Sequence, residues 1–78
     1  MQIYIGKVGE TLYEGEGYSL TAPGAGGELT VLHGHMPLVT TLKAGTIRLH
    51  VVKDDAPKEF EVIDGVLEAT GEGVRVLL

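Results

Sequence analysis

The three histidines supply the side chains in this sequence that are most typical of metal binding. His33 and His35 are two residues apart, and side chains at that spacing share one face of a β-strand. The imidazoles could therefore hold a common ion, with His50 or the neighbouring Asp54 and Asp55 as further ligands. A small metal protein is thus one interpretation of the sequence.

The residues around the histidine pair favour a different structure. The run His-Gly-His-Met-Pro at 33–37 contains a glycine and a proline, which are the strongest signals for a turn. In a turn, His35 would pin the backbone and His33 would lie exposed. We adopt the turn interpretation, expect neither a metal nor a cofactor, and keep the metal site as the alternative.

Patterns that would indicate catalysis are absent from the sequence. Ser19 is the only serine, and it lies in an alternating stretch outside any Gly-x-Ser-x-Gly elbow. No phosphate-binding Gly-x-x-x-x-Gly-Lys-Ser/Thr loop occurs, and the glycine-rich segment 23–27 does not precede a helix pattern. The acidic residues between 54 and 64 match no calcium loop and indicate a solvated strand face. We therefore expect a protein that is not an enzyme.

The glycines and prolines, which interrupt regular secondary structure, limit the helices and strands that could position a functional site. The chain has 78 residues, with 12 glycines and 3 prolines. Only the stretch 46–56 is long enough between breakers to hold an average helix of about 11–12 residues, and it alternates like a strand. Composition therefore excludes a helical bundle, a coiled coil and a doubly wound α/β fold, and its length predicts a single domain over 1–78.

The net charge and the absence of targeting signals limit the classes of partner that the chain could bind. The formal net charge is −5, which opposes binding to nucleic-acid phosphates. No apolar run is long enough to span a membrane, and the N-terminus lacks the pattern of a secretory signal. The chain has no cysteine, so it can form no disulfide. These features fit a cytoplasmic protein.

Apolar and polar residues alternate with a period of two along most of the chain, which indicates β-strands. The fold class that we predict is all-β: a flattened β-sandwich or barrel of about nine to ten short antiparallel strands in two sheets. Segment 23–27 is predicted to be a loop, and the clearest hairpin joins the sixth and seventh strands. The predicted strands are 1–8, 11–14, 18–22, 28–32, 38–42, 46–52, 58–64, 66–70 and 74–78.

One stretch is more apolar than the others. After Glu28, 14 uncharged residues follow in a row. The strands 28–32 and 38–42 are therefore predicted to form a central pair that is buried on both faces. The turn between them would present His35 and Met36 at the surface, where a thioether adapts well to a protein contact.

The same stretch carries a family resemblance. Residues 27–38, Gly-Glu-Leu-Thr-Val-Leu-His-Gly-His-Met-Pro-Leu, resemble the Gly-Glu-Leu-Gly-Ile-Leu-Pro-Gly-His-Ala-Pro-Leu signature of the ε subunit of F-type ATP synthases. Residues 42–48 are similar to its Leu-Lys-Pro-Gly-x-Ile-Arg, and residues 64–68 to its Gly-Gly-x-Leu-Glu-Val. The similarity covers essentially all 78 residues. Gly17 departs from it, since a branched apolar residue is common at that position.

The resemblance implies a non-catalytic subunit of the central stalk. Such a subunit is a β-sandwich of about ten strands that is bound to the γ subunit, rests on the c-ring and couples proton translocation to ATP synthesis or hydrolysis. Carried over by position, one group of residues would face the c-ring and another would face γ. These groups are Gly26, Gly27 and Glu28 on the c-ring side, and His35, Met36 and Thr40 on the γ side.

The family usually continues into a C-terminal helical hairpin that binds ATP and inhibits hydrolysis, whereas this sequence stops at Leu78. We therefore expect neither ATP binding nor that inhibition. The resemblance also implies a peripheral position on the inner face of the energy-coupling membrane, without direct insertion. A free-standing β-sandwich module that binds a protein or a ligand, similar to the family in fold only, is the alternative function.

Overall fold

The computed structural model describes all 78 residues and consists of nine β-strands joined by turns and short loops. This result confirms the predicted all-β fold. The structure contains no helix long and apolar enough to cross a membrane. The strands are β1 (Gln2–Lys7), β2 (Glu10–Glu16), β3 (Ser19–Gly24), β4 (Gly27–Leu32), β5 (Leu38–Leu42), β6 (Gly45–His50), β7 (Lys58–Val62), β8 (Gly65–Ala69) and β9 (Gly73–Leu77).

The strands form two halves that are joined at one corner. The five-stranded half has the order β2-β1-β9-β8-β5, and the four-stranded half has the order β4-β3-β6-β7. They meet where Gly24 of β3 pairs with Leu42 of β5. Two hydrogen bonds flank this pair: the Ala25 N–H donates to the Thr41 carbonyl, and the Lys43 N–H donates to the Pro23 carbonyl, both at 2.9 Å. Backbone pairing therefore runs without a break from one half to the other.

Both halves contribute to a single apolar core. Thirteen buried residues form one cluster, and they occupy alternate positions along their strands because successive side chains point to opposite faces. The pattern follows the predicted alternation, with the inward residues of β1 and β9 among the most buried. The core residues are Ile3, Ile5, Leu20, Ala22, Val31, Leu42, Ile47, Leu49, Val62, Leu67, Ala69, Val74 and Val76.

The first and last strands are neighbours and run parallel. β1 pairs with β9 from Gln2–Gly73 to Gly6–Leu77, and this is the only parallel pair; every other pairing is antiparallel. Antiparallel pairing had been predicted throughout. The difference arises because the chain ends are far apart in sequence, so no connecting turn dictates the direction in which they meet.

The prediction that 28–32 and 38–42 form a central pair is wrong. β4 pairs only with β3 and is an edge strand, whereas β5 pairs with β8 and meets β3 only at its end. The connection between β4 and β5 is long enough to carry the chain from one half to the other. As a result Leu32 and Val39 are exposed rather than buried on both faces.

Segment 23–27 was also predicted incorrectly as a loop. β3 continues through Pro23 to Gly24, and β4 begins at Gly27, so only Ala25 and Gly26 form the turn. Proline is tolerated here because Pro23 lies near the end of a strand and contributes its carbonyl as an acceptor. The β6–β7 hairpin is as predicted, with Ile47 opposite Phe60.

Candidate functional site

The outer face of the five-stranded half carries an apolar patch, which we define as Val39, Val66 and Leu77. Their exposed fractions are 67%, 40% and 50%. Val66 and Leu77 lie directly opposite each other in the β8–β9 ladder, and Val39 is diagonal to Val66 across β5 and β8. A shallow depression of about 200 Å³ lies among them. Neighbouring apolar side chains left exposed in this way are typical of a contact surface.

A charged border lies beside the apolar patch. Glu68 and Arg75 are directly opposite each other in the next row of the sheet. The guanidinium of Arg75 lies over the ring of Tyr4, 5.8 Å from its centroid, and Tyr4 in turn faces Glu14. An apolar centre with a polar rim is the usual anatomy of a protein interface.

The outer face of the four-stranded half is polar. The Thr21 and Thr30 hydroxyls are 2.8 Å apart. Arg48 lies between two carboxylates, with its guanidinium nitrogens 3.7 Å from Glu28 and 3.5 Å from Glu59. These polar side chains pair with one another across strands and remain accessible to solvent. The exposed apolar patch thus lies on one outer face of the sandwich, and the opposite outer face is mostly polar, with Leu32 as an exposed apolar side chain.

The residues predicted to face the c-ring lie at the tip of the β3–β4 hairpin. Gly26 is exposed, and a Cβ added to it would meet open space. Gly27 has a φ of 134°, in a region that favours glycine. Glu28, the second residue of β4, is exposed and lies beside Arg48. The tip thus offers bare backbone next to one carboxylate.

The residues predicted to face γ lie after the end of β4. The His35 N–H donates to the Leu32 carbonyl at 3.1 Å, and the His35 ring nitrogen Nδ1 lies 2.7 Å from the Met36 carbonyl oxygen. These bonds confirm the predicted turn that His35 pins. The Met36 side chain is 76% exposed. Thr40 is half-buried on the inward face of β5, so its neighbour Val39, rather than Thr40 itself, points to the outer face.

The β3–β4 hairpin tip and the pair His35 and Met36 lie at opposite ends of β4, whereas Thr40 lies near the tip, because the carbonyl of its neighbour Thr41 accepts from the Ala25 N–H. β4 spans six residues, and a strand rises about 3.3 Å per residue, so its ends are separated by roughly 17 Å. The tip could therefore contact one partner while His35 and Met36 contact a second, and Thr40 lies closer to the tip.

The alternative metal site lacks a third ligand. No group of three or more His, Cys, Asp or Glu side chains is arranged to hold a metal ion, so His33 and His35 stand without the additional donors that such a site requires. Ser19 lies opposite His50 in the sheet, beside a depression of about 360 Å³ that also borders Asp54. The Ser19 and His50 side chains form no hydrogen bond with each other.

Sequence reasoning identified none of the three residues of the apolar patch as exposed, since Val39 was predicted to be buried. Val66 and Leu77 occupy outward positions of β8 and β9, whose neighbouring inward residues Leu67 and Val76 are buried. The available signal was an apolar residue at an outward position in each of three strands. These three residues can be recognised as one surface only when β5, β8 and β9 are known to be neighbours in the sheet.

The fold defines the chain as a small β-sandwich domain with an exposed apolar patch on one outer face. The model of the family described as "ATP synthase, Delta/Epsilon chain, beta-sandwich domain" matches residues 1–78, and the chain belongs to this family.

Curated relatives extend the match. The chain is 44% identical over 77 residues to the ATP synthase epsilon chain of Acinetobacter baumannii (strain SDF), covering 99% of this chain and 55% of that protein. Over the same coverage it is 32% identical to the ATP synthase epsilon chain of Herminiimonas arsenicoxydans. The chain thus spans about half the length of the curated relatives it matches.

Two solved structures share the fold. One is the central stalk and c-ring of the Tetrahymena thermophila mitochondrial ATP synthase, with a TM-score of 0.80 and 13% identity, covering 99% of this chain and 61% of the matched chain. The other is the Euglena gracilis mitochondrial ATP synthase (OSCP/F1/c-ring), with a TM-score of 0.86 and 17% identity, covering 96% and 48%. At these identities the likeness shows the fold alone.

Proposed function

We propose that this chain is a non-catalytic central-stalk subunit of an F-type ATP synthase that bridges the γ subunit and the c-ring. In that place it couples proton translocation to ATP synthesis or hydrolysis, peripheral on the inner face of the energy-coupling membrane. Membership of the family supports the proposal. The observation that carries it is the exposed apolar patch on one outer face, because neighbouring exposed apolar side chains are typical of a surface that a partner covers.

The γ-facing surface that we propose combines the apolar patch with the turn after β4. Val39 and Leu77 are exposed on one sheet face, and Met36 is exposed just before β5. Removing apolar area from water contributes about 25 cal/mol per Å², so these side chains would supply the main driving force. His35 and Thr40, assigned to this side by resemblance, would support Met36 and Val39 through the backbone they share.

The c-ring-facing surface that we propose is the tip of the β3–β4 hairpin. Gly26 and Gly27 carry no side chain, so a partner backbone can approach closely there. Glu28 offers a carboxylate next to Arg48, which limits its motion without removing its exposure. The c-ring would therefore meet a flat stretch of backbone with one fixed charge.

The core explains how such a domain can transmit a rotation. One cluster of 13 buried residues joins both halves, and packed protein interiors have low compressibility. β4, a strand roughly 17 Å long, connects the hairpin tip to the segment that carries His35 and Met36. A displacement at one surface therefore reaches the other with little loss to internal deformation.

The test of the γ contact is a binding measurement with the purified γ subunit. The double substitution V39D and L77D places two charges in the apolar patch and should weaken γ binding by at least about tenfold, because the buried carboxylates would be unpaired. The matched control is V52D, which changes an exposed valine in the β6–β7 connection and should leave affinity unchanged. Failure of the wild-type chain to bind γ would overturn the proposal.

The test of the c-ring contact uses the assembled complex. E28K should lower the number of protons pumped per ATP hydrolysed while hydrolysis continues, because the reversed charge disturbs the contact but not the catalytic subunits. E61K, which reverses an exposed carboxylate on β7, is the control. Equal pumping by the two variants would remove Glu28 from the c-ring surface.

The alternative of a free-standing binding module gains no support from the cavities. It requires a concave apolar pocket away from residues 26–40. The largest groove, about 530 Å³, is lined mostly by polar and charged side chains. We therefore retain only the stalk proposal.

A further inference from the structure

The two methionines of this chain occupy opposite environments. The Met36 residue is 76% exposed and lies between β4 and β5, outside any strand. The Met1 side chain is only 1% exposed and packs against the core, and the Met1 amino group is held 3.1 Å from the Gly17 carbonyl oxygen. A reagent that attacks thioethers therefore meets one accessible sulfur and one protected sulfur in the same molecule.

We infer that Met36 is a site of reversible oxidation that controls docking of this domain on its γ partner, an inference that rests on the proposed function. Exposure decides which methionine reacts, since access limits thioether oxidation. The position of Met36, beside the turn that His35 pins, decides the consequence. A change of polarity there alters a proposed contact surface and leaves the core intact.

The reaction is an oxygen transfer from a hydroperoxide such as hydrogen peroxide. The Met36 Sδ lone pair attacks the terminal peroxide oxygen, an S–O bond forms, and the O–O bond breaks. The sulfur loses two electrons and becomes a sulfoxide, and the peroxide is reduced to water. Thiol-dependent sulfoxide reductases reverse the step, with return of the oxygen as water.

The sulfoxide changes what the turn can contact. A thioether packs as a flexible apolar group, whereas a sulfoxide oxygen is a strong acceptor that must find a donor when it is buried. An unpaired acceptor in an interface weakens binding. Once γ covers Met36 the sulfur is no longer accessible, so oxidation acts on the free subunit and blocks its assembly.

The site is tested first on the free chain. Hydrogen peroxide is added to the purified protein, samples are quenched over time, and the peptides containing Met1 and Met36 are quantified by mass spectrometry. Met36 should gain one oxygen at least about tenfold faster than Met1. Equal rates at the two methionines would overturn the inference, and this outcome does not depend on any partner.

The consequence is tested by γ binding before and after peroxide. Oxidised wild-type chain should bind purified γ about tenfold more weakly, and methionine sulfoxide reductase should restore the starting affinity. In M36L, peroxide should leave affinity at whatever value the untreated variant has. Unchanged affinity of the oxidised wild type overturns the switch while the stalk proposal stands. Absence of γ binding by untreated wild type instead overturns the proposed function and the switch together.

Discussion

Gly73 lies directly opposite Gln2 in the parallel pairing of β9 and β1, so close that a Cβ added to Gly73 would overlap the Gln2 carbonyl oxygen. The Gln2 N–H in turn donates to the Glu72 carbonyl at 3.2 Å. Glycine is thus required where the first and last strands begin to pair, and the reason is space between two backbones.

G73A should therefore destabilise the domain by about 2 kcal/mol, because the obstacle is backbone and the strands must move apart. The matched control is G71A, two residues earlier in the β8–β9 connection, where an added Cβ meets nothing within 4 Å. G71A should shift stability by no more than about 0.5 kcal/mol. Urea unfolding measures both changes, and equal effects would contradict the close approach of Gly73 to Gln2.

A second glycine is restricted by side chains rather than backbone. A Cβ on Gly17 would overlap Cδ1 of Ile3 and lie 3.0 Å from Cδ1 of Leu49. G17A should cost about 1–3 kcal/mol, and I3V, which removes the obstructing methyl, about 0.5–1.5 kcal/mol. The double variant should cost less than the sum by at least about 0.5 kcal/mol.

The control for this double-mutant cycle is I5V, which removes a methyl from the next inward position of β1. G17A and I5V should add within about 0.5 kcal/mol because the two sites do not touch. Additivity of G17A with I3V would show that Gly17 is not packed against Ile3.

Substitutions at Leu67 and Leu77 should distinguish an effect on stability from an effect on γ binding. Leu67 is 0% exposed, whereas Leu77 points outward from the adjacent strand. L67A should cost about 2–5 kcal/mol through the cavity it leaves, a large part of the roughly 4–12 kcal/mol expected for a chain of this size. L77A should cost under about 1 kcal/mol and still weaken γ binding. Thermal unfolding with a γ binding assay distinguishes these effects, and a large stability loss in L77A would contradict an exposed patch.

Arg48 and its two carboxylates should contribute little to stability. The Arg48 side chain is 46% exposed, and its partners are more exposed, so R48A should change the free energy of unfolding by less than about 1 kcal/mol. The change should shrink at 1 M salt, where the Debye length is about 3 Å. K53A, which removes a lysine that forms no ion pair, is the control. A salt-independent loss would mean that packing rather than charge holds Arg48.

The sequence allowed the faces of the strands to be predicted, because alternation is a local property of the extended backbone. Period-two alternation puts Ile3 and Ile5 on one face of β1, and Val74 and Val76 on one face of β9, and the core contains all four. The β6–β7 hairpin was equally local, since its short polar connection determines its pairing.

The alternation in the sequence did not allow the neighbours of each strand in the sheet to be predicted. Alternation says which side chains share a face but not which strand lies alongside, so the parallel β1–β9 pair and the separation of β4 from β5 were missed. The apolar patch was missed for the same reason. Gly26, Gly27, Glu28, His35, Met36 and Thr40 came from resemblance, and their partner contacts stay predictions.

The pairing of β1 with β9 has a consequence for synthesis of the chain. Within this domain β1 is synthesised before the other strands, yet one of its two neighbours, β9, is synthesised after all of them. Until β9 emerges, β1 presents an open edge that can recruit any extended segment nearby, and the sheet cannot close because its longest-range contact is missing. The domain must therefore fold after almost its entire length has been translated. Until then the open edge of β1 is a site that chaperones can bind.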